Sequence, residues 1–325
     1  MVAVRLGLVG GGWISRYHLE ALERLGRTKL VGVVSRTAET GDKVTSRWGG
    51  ARYDDLDAML AKAKPEVVYV AVPPYRAVAI GERLVEAGIP FLTEKPLAAG
   101  DAAGPARLAG AIAKSGLIVG VGYHLRALDI LTEVREWLDG SPPQLVVARW
   151  LDATPGPAWW SRAEQGGGQV IEQATHLYDL ARYLVGEATV VGAASTMDVL
   201  LSRRGSNVVD STAAVLRFES GGIGSFANTR RLASATIESE FVSEGFITTL
   251  TKRPERGQGD WHAEYDDGTA IRSIRTGTDP YERQASAFLD AVKANDPSRV
   301  LSSYADALKT DRLTRAVVAA TGAGG

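Results

Sequence analysis

Cysteine is absent from the 325 residues. That excludes disulfide frameworks, thiolate nucleophiles, iron–sulfur clusters and cysteine-ligated zinc. An excess of either charge is also missing: 37 Lys and Arg stand against 38 Asp and Glu, a net charge of -1. Nothing in that balance draws the chain to nucleic-acid phosphates or acidic lipid, so neither nucleic acid nor membrane is expected as a partner. No apolar run approaches the roughly 20 residues of a membrane span. The opening MVAVRLGLVGGGW lacks a cationic start and a long apolar centre, so a cytoplasmic location is expected.

What remains is an ordinary globular composition, 45% hydrophobic and 23% charged. The length suits about two domains. Through residue 122, short apolar runs at 5–9, 30–35, 67–72, 90–93 and 117–122 alternate with helical patterns, as in a parallel βαβ sheet. Such a doubly wound sheet places its ligand crevice at the carboxyl ends of the strands. After a helix near 127–138, Ser141-Pro142-Pro143 breaks the pattern. Strand-like runs follow at 145–151, 189–199, 211–218, 223–230, 236–242 and 245–251, with a helical stretch at 170–184. Helices near 280–294 and 304–320 and a disordered tail at 322–325 close the chain. The reading is an α/β protein: a doubly wound dinucleotide domain at 1–122, then a domain at 123–325 with an open, largely antiparallel sheet. The C-terminal helix is free to return to the first domain.

The first strand runs directly into Gly10-Gly11-Gly12-Trp13-Ile14-Ser15, and a helical pattern begins at once. A dinucleotide pyrophosphate requires that order. Gly10 permits the tight turn, and Gly12 lets helix N–H groups approach the phosphates beside Trp13 and Ile14. Ser15 stands where a third Gly or Ala is usual. Strand two ends in Ser35-Arg36-Thr37, without the acidic residue that binds the ribose hydroxyls of NAD. Arg36 can pair with a 2′-phosphate and the two hydroxyls can donate, so NADP(H) is expected as the preferred cofactor, with NAD(H) possible. The plainer alternative is that Thr37 caps the next helix and Arg36 is solvated.

Lys95, in Thr93-Glu94-Lys95-Pro96, falls at the carboxyl end of a strand and hence at the crevice. Further on, Gly166-Gly167-Gly168-Gln169 precedes Glu172, His176 and Asp179. On a continuous helix these three share one face, where a carboxylate can orient the imidazole, although a solvated polar face has the same spacing. Trp159 and Trp160 offer an indole for stacking on a sugar or for packing.

In this order, Gly10-Gly11-Gly12, Glu94-Lys95-Pro96, Gly120-Val121-Gly122-Tyr123 and Glu172-x-x-x-His176-x-x-Asp179 resemble the glucose-fructose oxidoreductase / inositol dehydrogenase family, Gfo/Idh/MocA. The resemblance spans nearly the whole chain. It implies an N-terminal Rossmann domain, a C-terminal domain whose open sheet often mediates oligomerisation, and NAD(P)-dependent redox chemistry on sugars, polyols or inositols. It places the catalytic lysine on Lys95 and the catalytic histidine on His176, with Glu172 where inositol dehydrogenases carry Asp. Pro73 and Glu94 join the cofactor side. Tyr123, His124, Arg126, Trp160 and Asp179 are the candidate substrate contacts. One departure is Val72-Pro73-Pro74-Tyr75-Arg76-Ala77, where many members read Thr-Pro-Asn-x-x-His. His18 and His262 are read as structural or solvated.

The expected activity is therefore hydride transfer between NADP(H) and a hydroxyl-bearing carbon of a small sugar or polyol, by a homodimer or homotetramer. A glycosidase using NAD for transient oxidation and a nucleotide-binding sensor without chemistry are the alternatives. No metal is expected, although Glu172, His176 and Asp179 include an i, i+4 pair of a kind that can bind one.

Overall fold

The computed structural model describes residues 3–197, 205–252 and 260–322. The expected tail beyond residue 322 and the end of the expected 189–199 strand, residues 198 and 199, lie outside them. The chain forms two compact units, Met1–Ala127 with Asp279–Leu308, and Leu128–Thr278 with Lys309–Gly325.

The first unit holds a six-stranded parallel sheet: β1 (Val4–Val9), β2 (Thr28–Val34), β3 (Ala51–Tyr53), β4 (Val67–Val70), β5 (Phe91–Thr93) and β6 (Val119–Val121). Their order is β3-β2-β1-β4-β5-β6, the doubly wound arrangement, with the reversal between β1 and β4. Both faces are covered, which is why β4 reads as an unbroken apolar run. Helices α1 (Trp13–Leu25) and α2 (Ala38–Trp48) bring Leu19, Leu22 and Val44 to one face. Helices α3 (Leu56–Ala63), α4 (Pro74–Glu86) and α5 (Gly104–Ser115) bring Met59, Leu84 and Leu108 to the other. Gly26 ends α1 in the left-handed conformation, its N–H returning to Leu22 and Glu23 carbonyls. The three-residue β3 escaped the sequence reading because so short an edge strand carries no period.

The unit boundary falls after Ala127, five residues beyond the expected one. Tyr123 belongs to the core of the first unit, and the buried turn His124–Ala127 is held by Arg126, whose guanidinium lies 2.5 Å from Asp306. A segment from late in the chain also belongs here: Ala285, Phe288 and Leu289 join the core beside Leu19 and Leu22. They lie on the helix Pro280–Ala294, which Asp279 caps at the Tyr281 N–H.

The second unit is built on an eight-stranded sheet: β7 (Leu145–Ala153), β8 (Ala188–Thr196), β9 (Ser211–Phe218), β10 (Ile223–Thr229), β11 (Arg231–Ser243), β12 (Phe246–Lys252), β13 (Trp261–Asp266) and β14 (Ile271–Arg275). The order is β14-β13-β12-β11-β7-β10-β9-β8, antiparallel except where β7 and β10 run parallel. Strict alternation along β9 buries Thr212, Ala214, Leu216 and Phe218 and exposes the residues between, so the sheet has one packed face and one open face. Helix α6 (Leu131–Leu138), the single turns α7 (Ala163–Gly166) and α8 (Gln169–Glu172), and helix α9 (Thr175–Val185) complete the layer, Tyr178 of α9 stacking on Phe226 at 4.6 Å. Asp129 closes the unit by accepting the N–H groups of Gly277 and Thr278 and the Thr278 hydroxyl, each at 2.9 Å. Strands β13 and β14 were missed in the sequence because their polar residues outnumber a readable alternation. Past these, α10 is the helix Pro280–Ala294 and α11 is Tyr304–Ala320. Among the described residues no helix is long and apolar enough to cross a membrane.

Candidate active site

The cofactor loop sits at the carboxyl end of β1. Gly10 adopts φ 110, and a Cβ there would lie 2.1 Å from the Ala71 carbonyl oxygen, so the β1 turn and the end of β4 touch through backbone alone. Gly11 serves a different neighbour, since its Cβ would meet Thr40 of α2 at 2.6 Å. A Cβ on Gly12 would face open space, with nothing within 4 Å. Gly12 is also the N-cap of α1, with no side-chain cap and no acidic residue in the first turn. The helix therefore presents uncommitted N–H groups and a positive dipole end to an open side, which fits a pyrophosphate. Ser15 is fully buried, as close packing there demands, while Ile14 is partly buried and Trp13 is 54% exposed.

At the end of β2, Thr37 caps α2, its hydroxyl accepting the Thr40 N–H at 3.3 Å. Ser35 donates to the Thr37 carbonyl at 2.8 Å. Both hydroxyls thus have intrachain work, as the plainer alternative required for Thr37, and Arg36 is exposed, with no ion pair among the described residues. Beside the glycine loop, a recess of about 280 Å³ is lined by Gly11, Gly12, Trp13, Arg16, Thr40, Lys43, Val44 and Trp48. Pro73 caps α4 at the end of β4, again without a side-chain cap.

Lys95 is half-buried just beyond β5, and its bond to Pro96 is cis. Glu94 is only 8% exposed. Its Oε1 accepts His18 Nε2–H at 2.7 Å and its Oε2 accepts the Lys95 backbone N–H at 3.2 Å. His18 is consequently neither solvated nor idle.

In the second unit the helix expected at 170–184 is broken. Turn α8 ends at Glu172, Gln173 is its C-cap, and α9 begins at Thr175, so Glu172, His176 and Asp179 do not lie on one continuous helical face. Gly167 and Gly168, both at positive φ, admit the chain to α8. Gln169 then pins α8 to the sheet, donating to the Thr229 carbonyl at 2.6 Å and accepting from Asn228 at 2.9 Å. The His176 ring stacks on Trp150 of β7 at 5.7 Å and 17°. Asp152, two residues along that strand, accepts Trp150 Nε1–H and Gln173 Nε2–H, both at 3.3 Å. Burial on β12 pushes the Lys252 ammonium below its ordinary pKa, against an opposing pull from Asp152.

Profiles of known families match both halves. The oxidoreductase family with an NAD-binding Rossmann fold, GFO/IDH/MocA, covers residues 4–123, and the GFO/IDH/MocA C-terminal domain covers 141–245. The chain belongs to the Gfo/Idh/MocA oxidoreductase family. Among its relatives is the inositol 2-dehydrogenase of Rhizobium meliloti, 24% identical over 258 residues, covering 78% of this chain and 77% of that protein. The dTDP-3,4-didehydro-2,6-dideoxy-alpha-D-glucose 3-reductase of Streptomyces violaceoruber is 29% identical over 204 residues, 61% of this chain and 59% of that one. In fold the chain is similar to KijD10, a 3-ketoreductase from Actinomadura kijaniata crystallised with NADP and TDP-benzene, at TM-score 0.86 and 22% identity over 98% of both chains.

Within this Gfo/Idh/MocA chain several expected substrate contacts have other work. Tyr123 is 1% exposed in the first unit's core, and Arg126 is committed to Asp306 and the Leu301 carbonyl. His124 stacks on Tyr281 at 4.8 Å and 16°. Asp179, 1% exposed, accepts the Thr310 hydroxyl at 2.9 Å beside Arg182 and so braces α9. Trp160 stays partly exposed and stacks on Trp159 at 4.8 Å. His262 lies on β13, 3.3 Å from Asp260. Trp150, Asp152, Gln173 and Lys252 were not singled out from the sequence; the available signal was Trp150-x-Asp152, two side chains on one strand face, which means nothing until His176 is known to lie over it.

Proposed function

We propose that this oxidoreductase moves hydride between NADP(H) and the hydroxyl- or keto-bearing carbon of a sugar, polyol or inositol. The observation that carries the reading is the open, uncapped start of α1 at Gly12, on the same carboxyl edge of the parallel sheet as Pro73 and Lys95. A relative that is an inositol dehydrogenase, another that is a sugar 3-reductase, and the NADP bound by KijD10 support the substrate class and cofactor. A bound nicotinamide supplies the acceptor or donor of hydride. The chain must then handle the hydroxyl proton, which needs a base within about 3 Å of the oxygen and a donor that stabilises developing alkoxide charge. Neutral His176 suits the first role and Lys95 the second, with Glu172 orienting the imidazole and Trp160 offering an apolar platform to a sugar face. A cytoplasmic location and a homodimer or homotetramer belong to the same proposal. The assembly is supported by Val191, Val215 and Ile223, exposed on strands of the second sheet, and light scattering that finds only monomer would remove it.

A panel of aldoses, ketoses, inositols and deoxysugar ketones, followed by the absorbance of the reduced nicotinamide with both cofactors, tests the activity. Stoichiometric turnover is expected, and Lys95→Ala and His176→Ala should each lower it about 100-fold or more while cofactor affinity holds. Release of free sugar from glycosides without net nicotinamide reduction would instead establish the transient-redox glycosidase.

A further inference from the structure

We infer that His18 is a positioning residue for Lys95, acting through the Glu94 carboxylate. This rests on the role proposed above for Lys95. Three stretches distant in sequence meet at that carboxylate. From α1 comes His18 Nε2–H at 2.7 Å, and from the chain just beyond β5 the Lys95 N–H at 3.2 Å. From the end of β6 comes Gly122, where any Cβ would stand 2.7 Å from Oε1 and 2.9 Å from Oε2. The glycine is required there because the carboxylate occupies the space a side chain would fill.

The imidazole is itself held. It is 2% exposed, with its ring edge-on to Tyr69 at 5.3 Å and 72° and to Tyr281 at 5.3 Å and 89°. His124 stacks on Tyr281 in turn. Burial pushes the Tyr281 phenol well above its ordinary pKa and the Glu94 charge adds to this, so Tyr281 stays neutral beside the pair. A buried carboxylate is costly unless its oxygens have donors. His18 supplies one at Oε1, and with Oε1 so held Oε2 lies on the Lys95 N–H. Removing the imidazole donor frees the carboxylate to turn, and the backbone anchor of Lys95 goes with it.

A purely packing role and a positioning role for His18 make opposite demands. Phenylalanine keeps the aromatic contacts with Tyr69 and Tyr281 but has no donor. Glutamine loses the ring and keeps an N–H at the same reach. The first readout needs neither substrate nor cofactor: trace acetylation of the purified protein with acetic anhydride, with Lys95 modification measured by mass spectrometry against exposed Lys62 and Lys114. His18→Phe should change the Lys95 ratio about threefold or more, and His18→Gln should leave it near wild type, because amine reactivity follows its immediate surroundings. With a substrate from the panel above, kcat of His18→Phe should fall about tenfold or more at unchanged NADP affinity, and His18→Gln should recover most of it. Should His18→Phe fail to fold, His18→Asn, too short to reach Glu94, carries the same expectation. An unchanged Lys95 ratio in the Phe or Asn variant, or a Gln variant as altered as Phe, overturns the inference. If no sugar is turned over, the acetylation result still decides the coupling of His18 to Lys95, separately from the catalytic reading.

Discussion

Replacing Arg36 by alanine should convert a cofactor preference into near indifference. The charge that distinguishes NADP from NAD is the 2′-phosphate, and among the described residues the end of β2 offers it the exposed cation Arg36. Ser35 and Thr37 spend their hydroxyls on the chain itself, Ser35 on the Thr37 carbonyl and Thr37 on the cap of α2. Glu39, three residues beyond Arg36, is held 2.6 Å from Lys43, which keeps its pKa below the ordinary range and offsets its repulsion of a phosphate. A hydrogen bond to a charged group contributes about 1.5–3 kcal/mol, and the exposure of Arg36 places it at the lower end, near 1.5 kcal/mol, or about tenfold in affinity. Calorimetric titration should show wild type binding NADP more tightly than NAD. In Arg36→Ala the NADP Kd should rise about tenfold while the NAD Kd stays within about twofold. Raising the salt should weaken NADP binding to wild type more than to the variant, since the lost contact is a screened ion pair. Equal affinity of wild type for the two cofactors, or an alanine variant that keeps wild-type NADP binding, would refute the argument.

Two further expectations concern the buried network around Arg182. Asp179→Asn removes the charged acceptor of the Thr310 hydroxyl and should lower stability by about 1–3 kcal/mol, read as a lower Tm, with substrate KM within about threefold of wild type. An unchanged Tm with a raised KM would return Asp179 to the substrate pocket. Glu187 is held at a pKa of about 2, first by its hydrogen bonds from Arg182 and then by Lys309, below the ordinary 4.5. A depressed carboxylate stabilises the fold above its unfolded pKa, so this contribution is complete at neutral pH and disappears as pH falls from about 4.5 to 2. Because the side chain is 38% exposed, screening reduces the contribution to about 1 kcal/mol. Glu187→Gln should flatten the acid limb of stability in that window, measured by denaturant midpoint against pH; an acid limb as steep as wild type would show that Glu187 does not contribute.

The sequence by itself determined the elements whose signal is local. Gly10-Gly11-Gly12 after an apolar run marks strand, turn and helix because only glycine tolerates φ 110 with the Ala71 carbonyl so near, and the runs of the parallel sheet stay legible because both faces are buried. Lys95 and His176 were singled out as candidates by the family resemblance of the short motifs that hold them, not by their spacing alone. Tertiary structure decided everything that depends on which segments meet. Helical spacing at 170–184 cannot show that the chain breaks after Glu172, because residues on either side of one lost hydrogen-bonded turn keep the same intervals in sequence. Nor can the pattern at 280–294 say which core it completes, since an apolar stripe carries no address and only contact with Leu19 and Leu22 assigns it to the first unit. In the sequence His18 reads as structural or solvated and Glu94, 76 residues on, as a cofactor-side member of the Glu94-Lys95-Pro96 motif, with nothing to link the two. Their meaning as a pair comes from burial, where a carboxylate without a donor is too costly to leave alone.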